Sequence, residues 1–166
     1  MEFVALETIA ETAVALAGFA AVAGAIQRTM HDSESIFGVV LHGIVALAFS
    51  LLGLRLGGSH EGVRIIAGVW VLVAATISAR NIWMLLLSWG EGDHDRASQF
   101  FGMSAFVSGS LTPVFPLLLV FDIYPGHAAL LYELGLLLHL LCAALLFLFV
   151  MWRHLAMRAP KRSAAE

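Results

Sequence analysis

An all-α, polytopic helical transmembrane bundle of five spans is the fold class this sequence predicts, and three observations predict it. Of its 166 residues 60% are hydrophobic and only 13% charged, with a mean hydropathy of +0.90. An average soluble domain is about 45–50% apolar and about 25% charged. The apolar residues gather in five runs, each near the roughly 20 residues that a helix needs to cross a bilayer. The stretches between the runs are short and rich in Gly, Ser, Asp or His. In water a domain of this length would still expose about 30% of the surface of its unfolded chain, so this much apolar surface calls for lipid as solvent. The same composition excludes disorder, nucleic-acid binding and an ordinary soluble enzyme. No strand-like alternation occurs, which leaves helices rather than a barrel to satisfy the backbone in lipid.

The spans are expected at residues 3–26, 36–56, 63–89, 100–121 and 128–152. Together they form a single transmembrane domain, 1–152, followed by a basic tail, 153–166. Connectors at 27–35, 57–62, 90–99 and 122–127 are short enough to make neighbouring spans antiparallel. The fourth span contains Pro113 and Pro116. If it does not cross, the alternative is four spans with a re-entrant segment over 108–116. The N-terminus lacks the charged region, short apolar run and cleavage site of a signal peptide, so the first span is expected to be retained.

Orientation follows from Lys and Arg. With the C-terminus inside, Arg153, Arg158, Lys161, Arg162, Arg28 and Arg96 are cytoplasmic, and only Arg55 and Arg64 lie outside. Trp89 and Trp152 then close two spans at the inner face, with Tyr124 and Tyr132 near the outer one. An integral protein of the plasma or bacterial-type inner membrane, N-terminus outside and C-terminus cytoplasmic, is the expectation.

Charge within a span costs at least roughly 2.5–3.5 kcal/mol at its centre, so ionisable residues there are the first candidates for function. They are Glu7, Glu11, His42, Arg80, Glu133 and His139. At 1.5 Å per residue, Glu7, Glu133 and Glu11 lie roughly 6, 8 and 12 Å from the outer face, His139 roughly 17 Å, His42 roughly 21 Å and Arg80 roughly 25 Å. Glu7 and Glu11 are one turn apart and share a helix face. Carboxylates above imidazoles suit a cation or proton path, since acids at a mouth attract cations and histidine titrates near neutrality. The plainer readings are a headgroup contact for Glu7, a snorkelling Arg80 and satisfied core histidines.

Ala13, Ala17 and Ala21 recur at spacing four, which permits close helix approach and would place the acids of the first span in an interior seam. In the fourth span, Pro113 and Pro116 free backbone carbonyls. Ser108, Ser110 and Thr112 can patch those carbonyls, or line an ion site with them.

His42 and His139 are also candidate axial ligands of a haem between helices. No covalent-haem motif accompanies them, and no cofactor or metal is expected. The loop Gly90, Glu91, Gly92, Asp93, His94, Asp95 lacks metal-binding spacing and reads as a solvated acidic turn. Cys142 reads as a packing residue. No nucleophile elbow, phosphate loop or catalytic pair occurs, so no enzyme is expected.

The leading expectation is an ion- or proton-conducting channel or transporter, homo-oligomeric because one small protomer has little room for a pore. Its partners would be the bilayer, further copies of itself and a cation or proton. The alternative is a non-catalytic subunit or anchor bound to a membrane or cytoplasmic protein, and the third is a haem-linked electron-transfer protein.

Overall fold

The computed structural model describes residues 3, 5–26, 30–56, 59–88, 107 and 109–158. Among them the regular structure is helical and no strand occurs. The helices are α1 (Leu6–Ile26), α2 (Met30–Leu56), α3 (His60–Ser88), α4 (Val114–Val120) and α5 (Ala128–Arg158), with a 3₁₀ turn at Pro125–His127 before α5. Among the described residues three segments are long and apolar enough to cross a membrane: Ile36–Leu56, His60–Arg80 and Pro125–Trp152. The outer surface agrees, with Phe19, Ile44, Ile65, Val69, Leu72, Leu130 and Leu148 among the apolar side chains exposed on it. In water such a coat would be an association hazard, whereas in lipid it is the ordinary surface. Among the described residues the protein is thus an all-helical bundle with three helices of membrane-spanning length and composition.

Cross-helix contacts give the directions. Ala20 packs with Val39 and Leu6 with Gly53, so α2 runs antiparallel to α1. His42 meets His139 and Gly38 lies against Leu146, so α5 also opposes α2. Phe49 stacks on Trp70 and Arg80 lies over Phe37, which sets α3 antiparallel to α2 as well. Helices α1, α3 and α5 therefore share one direction. The core lies between them, built from Leu6, Ile9 and Ala13, from Val45, Ala46 and Phe49, from Trp70 and Ala74, and from Tyr132, Leu136 and Leu140.

Three helices run further than the sequence pattern suggests, α3 by starting at His60 within the expected connector 57–62 and two others by more. Helix α2 begins at Met30, inside the expected connector 27–35. Helix α5 continues to Arg158, into the expected tail. Its last residues, Arg153 to Arg158, include the good helix formers Arg, Leu, Ala and Met, and the first proline comes only at Pro160.

The α2–α3 reversal depends on Ser59 and Gly62. Ser59 caps α3 by accepting a hydrogen bond at Oγ from the Gly62 N–H, at 3.0 Å. A Cβ on Gly62 would collide with the Leu56 carbonyl oxygen.

At the fourth expected span, the described part is the apolar helix Gly109–Val120, too short to cross alone. Residues 100–106 and Ser108 lie outside the described residues. Pro113 lacks the N–H that would bond the carbonyl four residues back, that of Gly109. Gly109 O instead accepts from Thr112 Oγ1 at 2.7 Å, Ser78 Oγ at 3.0 Å and Thr112 N–H at 3.3 Å. The carbonyl freed by the proline is thus spent on hydroxyls within the fold. Ser110 Oγ is buried and finds no hydrogen-bond partner among the described residues, and Pro116 is buried in α4.

Helix α4 ends in a Schellman motif with Asp122 in the left-handed region at φ 56°, where Ile123 N–H bonds Leu118 O and Asp122 N–H bonds Leu119 O. His60 Nε2 and Asp122 Oδ1, 2.7 Å apart, tie this turn to the start of α3. Both groups are about 40% exposed, so the pair contributes no more than about 1 kcal/mol.

Candidate functional site

Three helices converge on a buried polar chain in the middle of the bundle. His42 on α2 and His139 on α5 are 2% and 0% exposed, and their Nδ1 atoms are 2.9 Å apart. From α3, the Trp70 indole N–H donates to His139 Nε2 at 2.9 Å. Indole nitrogen is a donor only, so His139 Nε2 must be bare, and neutral His139 carries its proton on Nδ1. That proton points at His42 Nδ1, which must accept, so His42 carries its own proton on Nε2. The tautomers are assigned from this hydrogen-bond network. The direction of the chain is fixed: Trp70 to His139 to His42.

The surroundings hold Trp70 in place. Its ring, 0% exposed, stacks on Phe49 with centroids 5.4 Å apart and meets Tyr132 edge-on at 5.2 Å. Tyr132 is buried, and its hydroxyl donates to Phe49 O at 2.6 Å. The far edge of the indole lies over Gly135, where a Cβ would stand 2.5 Å from Trp70 Cη2. Glycine at 135 is what lets the indole reach its position.

The other expected site residues lie elsewhere. Glu7 and Glu11 are exposed, on the face of α1 opposite its buried Leu6, Ile9 and Ala13. The interior seam expected for these acids is not formed. What faces inward on α1 is Ala13 and Ala17, against Gly43 of α2. The small residues do bring the two helices together, but the acids fall on the other side.

Glu133 Oε1 accepts from the Ala5 N–H at 2.7 Å. Its carboxylate thus caps the start of α1, where the positive end of the helix favours it. Glu133→Ala should cost about 1 kcal/mol, as loss of an N-cap does, and should speed hydrogen exchange at Ala5. Thermal unfolding in detergent together with amide exchange checks both.

Arg80 places its guanidinium 5.0 Å from the centre of the Phe37 ring. It is ten residues beyond Trp70 on α3, roughly 15 Å further along the axis. The six ionisable residues therefore do not form one file: the structure joins the two histidines and separates the rest.

Sequence reasoning overlooked Trp70 and gave Tyr132 to the membrane interface, yet both are buried around His139. A signal for Trp70 exists, since a tryptophan in mid-span is far from the interfacial belt where the residue is enriched.

An iron between two axial imidazoles, at metal–nitrogen bonds near 2.0–2.1 Å, would hold the nitrogens about 4 Å apart. Here the facing nitrogens hydrogen-bond directly, and His139 Nε2 is taken by Trp70. The pair as folded does not fit an axial haem site. Among the described residues no three His, Cys, Asp or Glu side chains gather as a metal site would require. The acidic loop around His94 lies outside the described residues.

Searches against family models, curated protein sequences and solved structures return no match to this chain.

Proposed function

We propose that this protein conducts protons across the membrane in which it is embedded, with His42 and His139 as the central transfer pair. The observation that carries this reading is the Nδ1-to-Nδ1 contact of 2.9 Å between two buried imidazoles on different helices. Ionisable groups inside a membrane are costly, and histidine is the side chain that gains and loses protons near neutral pH. Packed aromatic and aliphatic side chains around the pair favour a proton, which can hop along hydrogen bonds, over a hydrated metal cation.

The rest of the proposal is topological. The chain would cross five times, N-terminus outside and C-terminus inside, in accord with the shared direction of α1, α3 and α5. Glu7 and Glu11, exposed on α1, would be covered by a second copy, since a carboxylate facing lipid is unfavourable.

That same exposed acid face favours a second reading, a non-catalytic subunit whose α1 docks on a helix of another membrane protein. A defined homo-oligomer in detergent supports the first reading, and constant co-purification with another protein supports the second.

The direct test is reconstitution into liposomes with a pH gradient. Wild-type vesicles should leak protons faster than empty ones. His139→Phe should lower the rate by about 10²-fold, the lower range of what a positioned proton-transfer group contributes. Wild-type flux equal to that of empty vesicles would overturn the reading.

A further inference from the structure

We infer that Trp70 is the lock of the imidazole pair: its indole N–H covers the one nitrogen through which a proton could enter at His139. The inference deepens the proton-conducting reading, but its geometry stands independently. In the chain Trp70 to His139 to His42, each of the two ring lone pairs is already used. His139 Nε2 receives the Trp70 N–H, and His42 Nδ1 receives the proton on His139 Nδ1. An extra proton on either nitrogen would set two donors face to face, and a hydrogen bond would be lost. Indole cannot pass its own proton on, because it has no acceptor lone pair in the ring plane. With Trp70 in place the pair is closed at this end.

Release of the indole opens a balanced step. A hydronium ion gives its proton to His139 Nε2, forming an N–H bond there and leaving water. The proton on His139 Nδ1 passes to His42 Nδ1, and the proton on His42 Nε2 leaves to a water molecule. One proton has crossed the pair, both rings are neutral again, and both have exchanged tautomers. The reverse exchange resets them. Trp70 acts on this step through His139 Nε2 and so is a positioning residue. The stacking on Phe49, the edge contact with Tyr132 and the bare Cα of Gly135 fix where its N–H points.

The test is solid-state nuclear magnetic resonance of the full-length protein in lipid bilayers, labelled with nitrogen-15 at histidine and tryptophan. In the wild type one indole N–H should correlate with an unprotonated imidazole nitrogen. The nitrogen–nitrogen contact between two histidine rings should join one protonated and one bare Nδ1, in a single tautomeric form. Trp70→Phe keeps an aromatic ring but removes the donor, and should give both tautomers of each histidine.

In the liposome assay Trp70→Phe should conduct up to about tenfold faster than wild type, the factor carried by one hydrogen bond of ordinary strength. A protonated His139 Nε2 in the wild type would overturn the lock without recourse to any variant. A Trp70→Phe protein that keeps the wild-type tautomers, or that conducts more slowly than a conducting wild type, would also overturn it. Wild-type tautomers as described, with no flux from any form, would uphold the lock and remove the conduction reading instead.

Discussion

Gly135→Val is expected to be among the most damaging single changes in the bundle, lowering stability by about 3 kcal/mol or more, at or above the upper range for overpacked cores. Even a bare Cβ at 135 would lie 2.5 Å from Trp70 Cη2, 3.0 Å from Phe115 Cβ and 3.1 Å from Trp70 Cζ2. None of these atoms is the free end of a flexible chain. Trp70 is sandwiched between Phe49 and Tyr132, so its ring cannot slide without dragging the N–H off His139. Valine adds two methyl groups beyond that Cβ. Gly135→Ala should fall between wild type and valine. Thermal unfolding in detergent gives the order directly, and equal stability of all three would show that the indole has room the packing denies.

The second large effect concerns His139, and its sign depends on what is changed with it. His139→Leu should cost about 2–6 kcal/mol, because it strands two buried polar groups, the Trp70 N–H and His42 Nδ1, at about 1–3 kcal/mol each. Adding Trp70→Phe and His42→Leu to the same protein should recover most of that loss. Replacing every member of a polar network by apolar groups of similar shape is close to neutral, whereas removing one member leaves the others unsatisfied. A triple variant no more stable than His139→Leu alone would mean that the network adds little beyond packing. The same variant should be silent in the flux assay, which separates what the chain of hydrogen bonds does for folding from what it does for protons.

How much of this was legible beforehand varies element by element. The apolar runs located the helices because length and composition suffice in lipid. Depth counting placed His42 and His139 within about 4 Å of one another along the membrane normal, and the rings do touch. Which way each helix turns is a different matter. In a soluble helix an apolar stripe marks the inward face, but a span that is apolar on every side carries no such stripe. Glu11 therefore gave no hint that it faces outward, away from Ala13.

Helix ends were misjudged where polarity was taken for a loop, as at the start of α2, which begins at Met30. Trp70 and Gly135, more than sixty residues apart in the chain, depend on each other across two helices, and no local pattern encodes that. The proline break was readable, since Pro113 singles out Gly109 as the carbonyl it frees. The hydroxyl of Ser78 that answers it comes from another helix.

The carboxylate of Glu133 at the start of α1 bears on how the protein is made. Ala5 and Glu133 are 128 residues apart, close to the two ends of the bundle in synthesis order. Helix α1 leaves the ribosome before α5, so the group that finishes its N-terminus follows only after 128 residues of chain. Until α5 is in place, α1 keeps an open positive end and lacks the Tyr132 ring against which Phe3 rests, 5.4 Å away. A chain halted before α5 therefore leaves α1 without both this cap and this ring contact.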